Sequence, residues 1–301
     1  MTKDVCLVTG AAGFIGSNLV DHLLEQGFSV ICVDNESANN DHFYWNNSGA
    51  CINVTADVTD YKQMKNLFHN VKYVFHLAAE SRLQPAIENP IEAIQKNCVG
   101  TTVMLQCARE SGVKRFVYSS TSSGYGNNPW PNTEDQPDDC LNPYSASKIA
   151  AEKFCKMYYN LYGVETISLR YFNVFGERCP TRGQYAPVIG IFDRQKESGE
   201  PLTIVGDGSQ RRDFIHVKDV AKANYLAATQ SFDEKYLGEV FNVGSAKNHS
   251  VQEIADAISD NQVYIPERKG EMDTTLADIT RISKVLGWKP EIDVLEWVSS
   301  R

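Results

Sequence analysis

This chain has no apolar run approaching the ~20 residues that a membrane-spanning helix requires, no internal repeat and no low-complexity tract. Its N-terminus enters the strand-like Val5-Cys6-Leu7-Val8 directly, without a signal-peptide pattern. Positive charge is scarce: 29 Lys and Arg face 38 Asp and Glu, a formal net charge of -9. That balance argues against nucleic acid as a partner, so an anionic ligand has to be held by a few local cations. None of the 8 Cys forms a C-x-x-C pair, and several lie in apolar segments. Buried, reduced thiols in a cytosolic protein are expected, with no metal and no membrane partner.

What is present is an alternation. Short β-rich runs at 5–8, 29–33, 52–54, 73–76, 116–118 and 166–170 are separated by amphipathic stretches at 14–26, 61–68, 91–111 and 144–161. Gly27, Gly112 and Gly163 fall where those helices should end. Near-continuous apolar strands alternating with helices predict an α/β protein with a doubly wound parallel sheet. After Arg170 the rhythm changes. Residues 176–190 are rich in Gly, Pro and Arg, and a helix (188–198) and a strand (202–204) follow. Segments 214–217, 220–228 and 240–243 read as further sheet elements, and the tail from Ser250 as helix, strand, polar loop and helix. The expected division is a first domain of 1–174 plus 213–244 and a smaller C-terminal α/β lobe of 175–212 plus 245–301.

The first strand runs into Thr9-Gly10-Ala11-Ala12-Gly13-Phe14-Ile15-Gly16 and straight into a helix. Glycines in that context let backbone turn tightly, approach a pyrophosphate and pack helix against strand. Free N–H groups and the dipole at the helix start suit a diphosphate. Asp34 ends the second strand, where a carboxylate would bind the adenosine ribose 2′-OH and repel a 2′-phosphate. NAD is therefore expected rather than NADP. Asp57, after the third strand, is placed either to reach the adenine or to cap the helix at Tyr61.

Tyr144 and Lys148 are four apart and share a helix face, with the hydroxyl run Ser119-Ser120-Thr121-Ser122-Ser123 upstream. An ammonium beside a phenol favours the phenolate, which should lower the Tyr pKa from its usual ~10. Thr121 could hold the same substrate oxygen. Such a group moves a proton on and off an alcohol while a hydride leaves its carbon. Tyr61 and Lys65 repeat the spacing, so spacing alone does not choose between them.

The G-x-x-G-x-x-G turn with Tyr144-x-x-x-Lys148 resembles the extended short-chain dehydrogenase/reductase family. His76-Leu77-Ala78-Ala79, Asn97, Arg170-Tyr171-Phe172-Asn173-Val174-Phe175-Gly176 and Arg212-Asp213-Phe214-Ile215-His216-Val217 resemble landmarks of its nucleotide-sugar epimerases. The likeness spans nearly the whole chain. It implies a Rossmann domain that retains NAD through turnover, with Tyr144, Lys148 and Thr121 catalytic and Tyr61/Lys65 on a solvated helix face. Cofactor contacts are implied for Gly10, Gly13, Phe14, Ile15, Gly16, Asp34, Asn35, Asp57, Val58, Leu77, Ala78, Ala79, Asn97, Ser119, Tyr171 and Val174, besides Tyr144 and Lys148. The implied substrate is a UDP-sugar touched by Arg82, Thr121, Ser122, Ser123, Asn173, Val188, Arg212, Arg268, Glu271 and Thr275. Of these, Arg212 and Arg268 would pair with the diphosphate, Glu271 with the nucleotide ribose, and Asn173 would donate to a phosphate.

Relatives that dehydrate the sugar carry an acidic pair just after the catalytic Ser or Thr. Here Thr121-Ser122-Ser123-Gly124-Tyr125-Gly126 has no carboxylate, which leaves epimerisation at C4. Thr275 stands where epimerases confined to unsubstituted hexoses place a bulky Tyr. A small residue there implies room for a C2 N-acetyl group, hence UDP-GlcNAc and UDP-GalNAc alongside UDP-Glc and UDP-Gal; a nucleotide-sugar 4,6-dehydratase or reductase and a UDP-uronate 4-epimerase are the alternatives that the resemblance leaves open. A homodimer is implied through the helices at 91–111 and 144–161.

Overall fold

The computed structural model describes residues 3–38, 43–181, 186–266 and 274–301. The chain opens with β1 (Val5–Thr9), α1 (Phe14–Glu25), β2 (Ser29–Asp34), β3 (Cys51–Thr55), α2 (Tyr61–Leu67) and β4 (Val71–His76). Next come α3 (Leu83–Glu88), α4 (Pro90–Ile94), α5 (Gly100–Ser111), β5 (Arg115–Thr121), α6 (Pro143–Tyr162) and β6 (Thr166–Tyr171). The remainder holds β7 (Asn173–Phe175), α7 (Val188–Glu197), β8 (Leu202–Val205), β9 (Arg211–His216), α8 (Val217–Thr229) and β10 (Val240–Val243). It closes with β11 (Asn248–Ser250), α9 (Val251–Ile258), β12 (Gln262–Ile265), α10 (Thr280–Leu286) and α11 (Val294–Ser299).

Seven strands form one parallel sheet in the order β3-β2-β1-β4-β5-β6-β10. The winding reverses between β1 and β4, and the crevice beyond their carboxyl ends is where such sheets take ligands. The inner strands β1, β4, β5 and β6 are buried on both sides because both faces are covered, whereas the edge strand β3 is largely exposed. Leu19, Leu23, Phe75 and Phe241 fill one core, and Leu7, Phe68, Met104 and Phe116 fill the other. A third core, with Phe175, Ile189, Phe192, Ile204, Phe214 and Ile254, belongs to the smaller sheets.

Two elements depart from the sequence expectation. The helix expected over 91–111 is three pieces: α4, one π-helical turn at Gln95–Val99, and α5. The wider turn coincides with the point where Asn97 points inward to other elements. Strand β9 does not rejoin the large sheet. Both edges of β6 are already taken by β5 and β10, so β9 pairs with β7 and β11 in a separate three-stranded sheet. In the tail, Ile282, Leu286 and Trp288 pack into the first core, while Val294 and Val298 of α11 join the third. Among the described residues no helix is long and apolar enough to cross a membrane.

Candidate active site

Helix α1 starts at Gly13 with no side-chain cap and no acid in its first turn. Helices α2, α6, α9 and α11 instead have their first N–H groups taken by Asp60, Asn142, Ser250 and Asp293. The positive end of α1 is thus left for an anion. The glycines at 10 and 16 have no room for a side chain. Gly10 has φ +67, and a Cβ on Gly16 would lie 2.0 Å from the Gly10 carbonyl oxygen. Asp34 is fixed at the crevice by N–H donors from Ala12 (3.1 Å) and Glu36 (2.8 Å), and its burial raises its pKa. Asn35 donates to Asp57 at 2.8 Å. Asp57 does not cap α2, because Asp60 does; it closes a turn onto the N–H and hydroxyl of Thr59. The N–H groups of Leu77 and Ala78 both bond Thr9 Oγ1, which aligns the ends of β1 and β4. An uncapped helix start, a tight turn of small residues and a fixed carboxylate fit a dinucleotide with a free 2′-OH.

A capping box between Asn142 and Ser145, with Pro143 in the first turn, fixes the start of α6 and so the place of Tyr144. Tyr144 lies on the wall of a cavity of about 450 Å³ beyond the ends of β5 and β6. Thr121, the last residue of β5, accepts from Ser123 N–H and donates to its hydroxyl, each at 3.1 Å. One helical turn on, Lys148 is buried, its Nζ 4.4 Å from the centroid of the Tyr118 ring. Burial lowers the Lys148 pKa to about 8, and Glu152 opposes that drop. Burial also raises the Tyr144 phenol, a hydrogen bond with Thr121 opposes, and the charge of Glu80 raises it further. The expected lowering of the phenol by Lys148 is therefore absent here: the ammonium sits over Tyr118, and loss of water dominates both groups.

The surroundings hold this pair in place. Glu152, a further turn along α6, makes a buried two-point ion pair with Arg170, at 2.9 and 2.8 Å, and accepts from Ser120. Asn97 accepts from the N–H of Glu80 and donates to the Glu80 carbonyl and to Ser147 Oγ. Its amide thus ties the β4 loop to α6, and both of its N–H bonds are committed within the fold. Ser119 bonds the hydroxyl of Tyr171, which also meets Asn224. Val58 is buried against Gly100 where α5 begins.

The cavity brings together Thr121, Ser122, Ser123, Tyr144, Tyr171, Asn173, Val174, Val188 and Arg212, all singled out in the sequence. The Asn173 amide donates to the Asp213 carbonyl (2.9 Å) and to Thr275 Oγ1 (3.2 Å). Thr275 is buried behind it and also accepts from Asp213 N–H, so it stands one side chain back from the cavity. Arg82 is paired at 3.1 Å with the buried Glu80. Arg268 and Glu271 lie outside the described residues.

Sequence reasoning missed three residues. Glu80 carries a carboxylate whose charge reaches Tyr144. Gln210 lines the cavity, and its Oε1 finds no donor among the described residues. Asp213 accepts from Ser245 N–H and hydroxyl and from Ala246 and Ala277 N–H, stapling the tail to β9. Its burial raises its pKa to about 6. Only strand alternation hints at this: Arg212 and Phe214 line the cavity, so the residue between them faces away.

Residues 6–244 match the model of the NAD dependent epimerase/dehydratase family. The chain is 36% identical over 306 residues to the UDP-glucose 4-epimerase of Mycolicibacterium smegmatis, covering 97% of this chain and 96% of the relative. Its fold is similar to the crystal structure of UDP-glucose 4-epimerase from Thermotoga maritima with UDP-glucose, with TM-score 0.91, 34% identity, and coverage of 98% and 96%. It is equally similar to UDP-N-acetylglucosamine 4-epimerase from Methanobrevibacter ruminantium in complex with UDP-N-acetylmuramic acid, with TM-score 0.91, 33% identity, and coverage of 99% and 97%. With the glycine turn, the fixed Asp34 and the Tyr144–Lys148 helix in one crevice, the chain belongs to the NAD-dependent epimerase/dehydratase family, as an enzyme of the extended short-chain dehydrogenase/reductase type.

Proposed function

We propose that this enzyme inverts C4 of a UDP-N-acetylhexosamine, interconverting UDP-GlcNAc and UDP-GalNAc, with UDP-Glc and UDP-Gal as a second pair. The observation that carries the reading is the gathering of Tyr144 and Thr121 on one cavity wall, above Lys148, with no carboxylate on the loop after Thr121. Elimination across neighbouring carbons needs a second acid/base. Glu80 is an unsuitable one because its carboxylate is held by the guanidinium and N–H of Arg82.

NAD, when bound, supplies the acceptor that takes the C4 hydride and returns it. Tyr144 takes the proton from O4 and gives it back, and Thr121 holds the same oxygen. Lys148, one helical turn further along α6, would hold the nicotinamide ribose. Arg212, with Arg268 and Glu271, anchors the nucleotide while the sugar turns its other face. Tolerance of a C2 N-acetyl group is supported by the small Thr275 and by the likeness to a UDP-N-acetylglucosamine 4-epimerase. A Tyr at 275 would have to push Asn173 into the cavity. Residues 1–174 plus 213–244 serve as the NAD domain, with β9 leaving its sheet for the smaller one and Ile282, Leu286 and Trp288 packing back onto its core, and the rest serves as the nucleotide-sugar lobe.

We also infer a homodimer through α4, α5 and α6. Their outer faces expose Ile91, Ile94, Val99, Met157 and Leu161, beside an apolar hollow lined by Cys98, Val103, Phe154 and Tyr158. Light scattering on purified protein should give twice the chain mass; a monomer at micromolar concentration would remove this assignment.

The decisive experiment incubates purified protein with UDP-Glc, UDP-GlcNAc and UDP-GlcA separately, without added NAD, and identifies products by NMR. UDP-GalNAc from UDP-GlcNAc is expected, with no net hydride acceptor required. A released 4-keto or deoxy sugar would make the enzyme a dehydratase, and turnover of UDP-GlcA alone would make it a uronate epimerase.

A further inference from the structure

Asp21 lies on α1, outside the lining of the substrate cavity, yet two separate segments converge on it. One Asp21 oxygen accepts from Asn46 Nδ2 at 2.8 Å, and the other from Arg178 at 2.6 Å. Asn46 belongs to the segment after β2, the strand that presents Asp34. Arg178 belongs to the loop after β7, whose residues line the substrate cavity. Both segments leave the carboxyl ends of strands and therefore border the dinucleotide crevice.

Further contacts hold the two rims over the glycine turn. The N–H of Tyr44 donates to the carbonyl of Ala12, inside that turn, at 2.8 Å. The Arg178 guanidinium lies 5.5 Å from the centroid of the Tyr44 ring. Asn18, three residues before Asp21 on the same face of α1, donates to the carbonyl of Glu177 at 3.0 Å. Glu177 is in turn paired with Lys218 of α8 at 2.8 Å. Arg178 has φ 66, a left-handed backbone that is costly without a glycine and persists only where its surroundings impose it.

We propose that Asp21 is a positioning residue for cofactor retention: with Arg178 and Asn46 it latches the 43–46 and 176–178 segments together over the start of α1. The proposal rests on NAD being the bound cofactor. A dinucleotide lying against the glycine turn would leave only after this latch opens. An enzyme that regenerates its cofactor in every turnover gains from such a barrier, because the oxidised dinucleotide need never exchange.

The test measures NAD dissociation directly, by trapping released NAD and by the bound fraction surviving gel filtration. Asp21→Ala should release NAD roughly three- to tenfold faster, and Arg178→Gln somewhat less. The double variant should match Asp21→Ala alone, since both changes open one latch. Asp21→Glu should restore slow release, which separates the latch from a general loss of stability. Melting curves at saturating NAD confirm that each variant is folded. If folded Asp21→Ala and Arg178→Gln release NAD at the wild-type rate, the latch is wrong while the cofactor assignment stands. If wild-type protein binds no NAD at all, the cofactor assignment falls and the latch falls with it.

Discussion

Two Tyr-x-x-x-Lys pairs stand on two helices of this molecule, and their surroundings make them chemically opposite. On α2, the Tyr61 hydroxyl donates to Glu110 at 2.6 Å, Lys65 reaches the same carboxylate at 2.9 Å, and all three groups face solvent. Hydrogen bonding to Glu110 raises the pKa of both Tyr61 and Lys65. The trio is a closed, solvated triangle with little reason to give up a proton near neutrality. On α6, each carboxylate near the pair is matched to an arginine, Glu80 to Arg82 and Glu152 to Arg170. Among the described residues Lys148 is buried without a carboxylate of its own, and its pKa falls to about 8. The same spacing yields inert surface in one place and a strained charge in the other. Catalytic potential lies in what the fold withholds from the pair.

Four variants bear on that contrast. Tyr144→Phe should lower kcat by roughly 10³-fold with NAD still bound, because the proton relay is gone; undiminished interconversion of UDP-sugars would erase the difference between the pairs. Glu152→Gln should destabilise the protein by about 2 kcal/mol in urea unfolding, since it leaves the buried Arg170 with Asp138, at 2.9 Å, as its remaining partner charge. The same change should move Lys148 to a still lower pKa, seen as an earlier alkaline loss of kcat/KM.

Lys148→Met should reduce kcat/KM by roughly 10²-fold while raising stability at pH 7 by up to about 3 kcal/mol. Here the sign follows from burial. The folded-state pKa lies below the unfolded one, so the penalty of the charged lysine is full below about pH 8. It fades as pH rises from there toward the unfolded value, and the stability gap between variant and wild type should close over that window. A gap that widens with pH would mean that the ammonium is stabilised, not strained. The double variant Tyr61→Phe/Lys65→Met should leave kcat within about twofold and the melting temperature within about 1 °C, as expected for an exposed pair.

The parallel sheet was legible because its strands are buried on both faces and punctuated by Gly. That Tyr144 and Thr121 share a cavity wall was legible because the hydroxyl run closes a strand and the Tyr144-x-x-x-Lys148 helix follows it. Other features leave no such mark. Asp21 looks like any solvated acid on α1, and its role comes from Asn46 and Arg178, brought in from distant sequence. Asp213 was masked by Arg212 beside it, which draws the eye as a cation. The phenol of Tyr144 was misjudged because a motif states which groups are near, whereas burial, a property of the whole fold, set the direction of its pKa. Strand β9 carries an ordinary strand pattern, and only the occupancy of both β6 edges decides which sheet it can enter.

The π-helical turn at Gln95–Val99 carries a consequence for how this sequence can change in length. One surplus residue there sets the rotational phase of everything downstream in α5. Removing it would swing the helix by about 100°. Met104, Leu105, Cys107 and Ala108, all fully or nearly fully buried, would turn out of the core together, and Asn97 would lose Glu80 and Ser147. Substitution along this helix is a local matter, but a one-residue deletion between the π turn and Met104 acts on a whole face at once. Gaps should therefore be tolerated in the loops flanking the helix and purged within it.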